Sequence, residues 1–139
     1  MRTKIGKEQL SELLASCGIR PTRQRLALAS LLFDGGPKHL TAEQVHKSVH
    51  KAHLSISLAT VYNNLHAFTK AGLLREISID SVRSYFDTNQ ETHFHFFDEV
   101  SGCLEDIPAR CVKIERLPKP PSGRKIAGME VIVRLTRSS

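Results

Sequence analysis

The chain has 139 residues and a mass of 15.5 kDa, with 40% hydrophobic and 24% charged residues; this suits one compact domain or two very small ones and excludes a large multi-domain enzyme. No run of about 18 apolar residues occurs, and the basic start from Met1 to Lys7 lacks the apolar core of a leader, so the sequence reads as cytoplasmic, with no membrane partner. Lys and Arg number 20 against 14 Asp and Glu, a net charge of +6 with a pI near 9.5, which favours a polyanionic partner, nucleic acid first.

The positive excess is uneven. Residues 1 to 90 hold 12 Lys and Arg against 7 Asp and Glu, and the remainder 8 against 7, so polyanion contact is expected in the first part. There, Leu10, Leu13 and Leu14 predict a helix over Lys7 to Ser16, ended by Gly18. Leu26, Leu28, Leu31 and Leu32 predict a second over Thr22 to Phe33, ended by Gly35-Gly36-Pro37. Thr41-Ala42-Glu43-Gln44 has the capping-box pattern and starts a third, to about Ala52. Ser57 caps a fourth, Leu58 to Ala71, in which Leu58, Val61, Leu65 and Phe68 recur at three and four; Thr60, Tyr62, Asn63 and Asn64 are left largely on a polar, aromatic-bearing face. After Gly72 the period becomes two: Leu74 to Ile79 and Val82 to Asp87 flank Asp80-Ser81 as a β-hairpin. Helices followed by such a hairpin describe an α+β winged helix, with the capped helix before the wing aimed at a DNA major groove.

Thr88 to Thr92 is polar and reads as a hinge, giving a first domain over 1–88 and a second over 89–139. In the second, His93 to Phe97 and Leu104 to Ile107 read as strands joined around Ser101-Gly102. Pro108 opens a helix to about Leu117, the Pro118, Pro120 and Pro121 cluster breaks it, and Lys125 to Leu135 ends the chain as a strand. Such a small α/β unit buries little apolar surface and exposes strand edges, so a homodimer is expected.

Side chains two apart on a strand share a face, so His93-Phe94-His95 brings two imidazoles together. An antiparallel return around Ser101-Gly102 carries Asp106 toward them, Asp87 ends the wing, and His39 is a fifth donor ahead of the third helix. A mixed nitrogen and oxygen set suits Fe(II), Mn(II) or Zn(II), although an isolated His-x-His also suits two surface histidines. His46 and His50, four apart on the third helix, with His53 nearby, read as solvated surface because no carboxylate completes them. Cations gather at Arg20-Pro21-Thr22-Arg23-Gln24-Arg25, where guanidinium and backbone N–H groups can hold phosphates. Cys17, Cys103 and Cys111 include no CxxC pair and read as small buried or half-buried apolar residues.

Several ordered motifs, Arg20-Pro-Thr-Arg-Gln-Arg, His39-Leu-Thr-Ala-Glu, Ser57-Leu-Ala-Thr-Val-Tyr-Asn-Asn-Leu, Ala71-Gly-Leu-Leu, Tyr85-Phe-Asp-Thr-Asn and His93-Phe-His, resemble the Fur superfamily of metal-responsive repressors over roughly residues 10 to 110. The resemblance implies a dimer with an N-terminal winged-helix DNA-binding domain, a C-terminal α/β dimerisation domain and a double-stranded operator as partner. It places DNA contacts on Arg20, Thr22, Arg23, Arg25, Ser57, Thr60, Tyr62 and Asn63. It also places one regulatory Fe(II), Mn(II) or Zn(II) per chain on His39, Asp87, His93, His95 and Asp106, as in the peroxide-sensing PerR branch. An ion held there would fix the hinge between the domains.

Asp98 and Ser101 stand where most members carry the first CxxC, and no cysteine follows Met129, so a structural zinc held by four cysteines is not expected. That loss, with Ile107-Pro and the tail Val131-Ile-Val-Arg-Leu, resembles the iron-responsive Irr branch. It implies a transcriptional regulator of iron homeostasis, not an enzyme, controlled by Fe(II), haem or both; the alternative is a PerR-like repressor that uses metal-catalysed histidine oxidation. A metal-dependent hydrolase fits less well, because five protein ligands leave little room for water and substrate. A metal-storing dimer that never touches DNA would show no salt-dependent DNA affinity.

Overall fold

Residues 5–138 are described in a computed structural model, and the chain divides after Gln90 into two units. The first contains α1 (Lys7–Ser16), α2 (Arg23–Phe33), β1 (His39–Leu40), α3 (Ala42–Lys51), α4 (Leu58–Lys70), β2 (Arg75–Ser78) and β3 (Ser84–Asp87). Hydroxyls start three of its helices: Thr22, Thr41 and Ser57 accept from the amides of Arg25, Gln44 and Thr60. Gln44 Oε1 in turn accepts from the Thr41 amide at 2.9 Å, completing the reciprocal cap.

The ends of α1, α3 and α4 share one device. Ile19 N donates to Leu14 O at 2.9 Å, Leu54 N to Val49 O at 3.1 Å and Leu73 N to Phe68 O at 2.9 Å, each bond closing around one left-handed residue. That residue is Gly18 (φ 77°) after α1 and Gly72 (φ 85°) after α4, but His53 (φ 58°) after α3. A side chain with a Cβ costs about 1–2 kcal/mol there, so His53 is held against a local preference.

The apolar stripe of each helix meets in one core, with Leu14, Leu28, Leu32, Val45, Val49, Val61, Leu65 and Phe68 fully buried. The wing is a three-stranded antiparallel sheet ordered β1–β3–β2, in which His39 lies opposite Asp87 and Leu40 opposite Phe86. Its hairpin is shorter than the alternation suggests, because residues 79–83 form the turn. Asp80 accepts from the amides of Val82 and Arg83 at 2.9 and 2.7 Å and from the Arg83 guanidinium at 2.8 and 2.9 Å. These bonds, that of the Arg83 side chain foremost, hold its carboxyl down to about 2.

The second unit has a sheet ordered β5–β4–β6, from β4 (His93–Asp98), β5 (Leu104–Pro108) and β6 (Ile132–Leu135). β5 runs antiparallel to the central β4, whereas β6 runs parallel to it. Phe94, Phe97 and Ile107 are buried here.

Three expectations are corrected in this unit. The helix expected from Pro108 to Leu117 is a single 3-10 turn, Ala109–Cys111, and residues 112–131 form neither helix nor strand. Ile114 and Leu117 are 45% and 58% exposed, so among the described residues of the chain the apolar pattern finds little surface to bury against and a helix gains little from it. The last strand begins at Ile132 rather than Lys125, because only four residues find partners on β4. Cys103 and Cys111 are exposed rather than buried, while Cys17 is half-buried, and none of the three is in a disulfide.

Candidate functional site

Strand register gathers the expected metal donors into two groups, one in each unit. In the first, antiparallel pairing sets His39 of β1 directly across from Asp87 of β3. His39 Nε2 lies 3.4 Å from Asp87 Oδ2, and the Asp87 side chain is fully buried. The other oxygen, Oδ1, accepts from the Asn89 amide at 2.8 Å, which fixes the carboxylate plane.

In the second unit the same geometry recurs. His95 of β4 pairs across from Asp106 of β5, and His93 points to the same face two residues earlier. Both Nε2 atoms lie 3.5 Å from Asp106 Oδ1, and the two rings meet edge to face with centroids 4.5 Å apart. His93 and His95 are buried, whereas the Asp106 side chain is about one-third exposed. The Glu91 carbonyl sits against His93 Nδ1, a contact that favours the proton on Nδ1 and leaves the Nε2 lone pair facing Asp106.

The donor chemistry fits a divalent ion. Nitrogen and oxygen atoms bound at about 2.0–2.2 Å around one cation stand roughly 3.0–3.5 Å apart. The separations within each group match that edge length and exceed a good hydrogen bond. Imidazole and carboxylate without thiolate suit Fe(II), Mn(II) or Zn(II).

The expected DNA residues divide by what their side chains already do. Arg20, Arg23 and Asn63 are exposed. Thr22 and Ser57 are also exposed, but their hydroxyls cap α2 and α4, and Ser57 further donates to Thr60 Oγ1 at 2.9 Å. Arg25 is turned inward: its Nε donates to Asn64 Oδ1 at 3.0 Å and its Nη1 to the Arg20 carbonyl at 3.1 Å. It therefore ties α2 to α4 and steadies the backbone that carries Arg20.

Tyr62 is half-buried, and its hydroxyl donates to Glu43 Oε1 of α3 at 2.8 Å. That bond, with a smaller contribution from burial, lifts the phenol above its usual 10.0. Asn64 and Glu43 are the contributors that the sequence conceals. Their partners stand 39 and 19 residues away, beyond any helical repeat.

Comparison with known proteins gives one consistent result. The profile of the ferric uptake regulator family matches residues 16–131. The peroxide-responsive repressor PerR of Staphylococcus aureus strain Mu50 is 34% identical over 115 residues, which cover 80% of this chain and 77% of that protein. Among solved structures, the ferric uptake regulator of Pseudomonas aeruginosa with manganese superposes with a TM-score of 0.70 at 20% identity, covering 94% of this chain and 98% of that one. The ferric uptake regulator of Vibrio cholerae, whose structure reveals a rearrangement of its DNA-binding domains, gives 0.71 at 18% identity, covering 91% and 98%. The fold is thus an N-terminal winged helix followed by a small dimerisation-type domain.

Proposed function

This chain belongs to the ferric uptake regulator family, and from that premise we propose that it is a cytoplasmic, homodimeric DNA-binding transcriptional regulator of iron homeostasis whose operator affinity is set by one metal ion per chain. Members of the family are metal-responsive transcription regulators rather than enzymes, and they act on DNA as dimers. The observation that carries the reading is the pair of cross-strand His–Asp groups, His39 with Asp87 and His93 and His95 with Asp106, each at ligand spacing.

In this reading the five side chains share one Fe(II), with Mn(II) or Zn(II) as substitutes. Because the donors come from both units, chelation would restrain the connection between them and so the placement of α4. Arg20 and Arg23 meet the DNA backbone or minor groove, Thr60, Tyr62 and Asn63 face the bases, and Thr22, Arg25 and Ser57 hold the helices that present them. Haem is the alternative iron signal, suggested by the resemblance to Irr.

The test is anisotropy of a labelled iron-responsive promoter duplex, measured without ligand, with Mn(II) as a redox-inert surrogate for Fe(II), and with haem. A metal-dependent change in Kd that disappears in His95→Ala supports the reading. Affinity indifferent to both Mn(II) and haem overturns metal control.

The 34% identity with PerR favours a second reading, peroxide sensing at the same donors. Bound Fe(II) would supply one-electron chemistry toward peroxide, and the chain would supply histidines beside it. Mass spectrometry after Fe(II) and peroxide should then find added oxygen on the peptide of His39 or His93; unmodified peptides remove this reading.

A further inference from the structure

Two adjoining grooves run across the first unit, outside the donors described above. One, of about 300 Å³, is lined by Arg23, Gln24, Ala27, His53, Leu54, Ser55 and Ile56. The other, of about 590 Å³, is lined by His50, Lys51, His53, Leu54 and Ser55. They share His53, Leu54 and Ser55, so together they form a furrow from the start of α2 to the end of α3. Its polar lining is Arg23, Gln24, His50, Lys51, His53 and Ser55, and no carboxylate lines either part among the described residues.

Every polar group in this lining can donate a hydrogen bond, and two carry fixed positive charge. A donor-rich, carboxylate-free concavity selects an anion with several acceptor oxygens, which is the chemistry of a phosphodiester. His53 strengthens the point. It occupies the left-handed position that α1 and α4 give to glycine, and it lines both grooves. Glycine would relieve the backbone there, so the side chain stands at a local cost. Two residues beyond the furrow's Ser55, the Ser57 cap begins α4.

We propose that this furrow seats the phosphate backbone of the operator, with His53, Ser55 and Lys51 as contacts beside Arg23. The assignment rests on the DNA-binding reading given above and adds to it a backbone clamp at the α3–α4 connection. Its contacts are sequence-independent, so they set register and overall affinity without choosing bases.

The experiment compares the unsubstituted protein with His53→Gly and with His53→Gly/Lys51→Gln. Kd for the operator and for a scrambled duplex is measured across a salt series, alongside urea unfolding midpoints. If the proposal holds, His53→Gly raises the unfolding midpoint or leaves it unchanged while Kd weakens several-fold on both duplexes. The double variant should also lose about one unit from the slope of log K against log salt, as expected for one lost phosphate contact. A purely structural role for His53 predicts stability and affinity moving together, and that outcome overturns the proposal.

An unchanged slope and Kd in a protein that otherwise binds DNA overturns the furrow alone. Failure of the unsubstituted protein to bind any duplex overturns the regulator reading itself. A parallel arm titrates inorganic phosphate while following the His53 imidazole by NMR. Saturable phosphate binding with unaltered DNA slopes would make the furrow a free-anion site and overturn its assignment to DNA.

Discussion

Replacing Asn64 by Ala should destabilise the winged-helix unit by about 2 kcal/mol. Asn64 is 9% exposed on α4 and accepts from Arg25 Nε at 3.0 Å, the bond that ties α2 to α4. A hydrogen bond to a charged group contributes about 1.5–3 kcal/mol, and Arg25 is only half-buried, so water partly replaces the lost acceptor and the lower end applies. Removing a packed amide adds about 1 kcal/mol. The bond from Asn64 Nδ2 to the Thr60 carbonyl contributes little, since that oxygen stays within the helical ladder of α4. Alanine returns up to about 0.7 kcal/mol through its better helix propensity. The net loss lowers the ratio of folded to unfolded chains about thirtyfold. Urea unfolding followed by far-UV circular dichroism reads this unit, because all four α-helices of the described residues lie in it. A change below about 0.5 kcal/mol would refute the reasoning. So would a double-mutant cycle in which Arg25→Ala and Asn64→Ala simply add, since a real bond leaves a coupling of at least about 0.5 kcal/mol.

Thr41→Ala removes one half of the reciprocal cap on α3 and should cost about 1 kcal/mol in the same assay, with Thr41→Ser restoring most of it. Asp106→Asn should weaken Mn(II) binding by about tenfold or more in calorimetry while leaving the fold intact, because the side chain is one-third exposed; an unchanged Kd removes Asp106 from the ligand set. At the wing tip, the Asp80 carboxyl should titrate by NMR near 2 and move back toward 3.8 in Arg83→Gln. The folded-state value is the lower one, so the contribution of this turn is present above pH 3.8 and is lost as pH falls through about 2; a midpoint near 3.8 in the unsubstituted protein would contradict it.

The legible parts of the sequence are those governed by neighbours. Thr22, Thr41 and Ser57 announce helix starts because a cap is satisfied within three residues. Gly18 and Gly72 announce ends because a positive φ is a local demand. The second group of donors, His93, His95 and Asp106, can also be read, since a tight return around Ser101-Gly102 leaves few registers. What stays hidden depends on distant partners. β1 is two residues long and carries no periodicity; it exists because β3, far along the chain, supplies the opposing Asp87 and Phe86. The stretch after Cys111 looks helical because Ile114 and Leu117 recur at helical spacing, yet both side chains stay exposed. The inward turn of Arg25 toward Asn64 likewise has no local signal, and an Arg-rich motif reads as if every guanidinium faced outward.

The central strand β4 does not protect its two histidines equally. From His95 onward it is flanked by β5 on one side and β6 on the other, and the His95 amide itself donates to the Val131 carbonyl at 3.2 Å. His93 precedes the β6 pairing and has β5 alone beside it. Amide hydrogens from His95 to Asp98 should therefore exchange among the slowest of their unit, and that of His93 faster. An opening that peels β5 away would carry Asp106 with it, while His95 would keep its backbone pairing with β6. In the proposed metal site, this ladder would release the Asp106 carboxylate first, His93 next and His95 last.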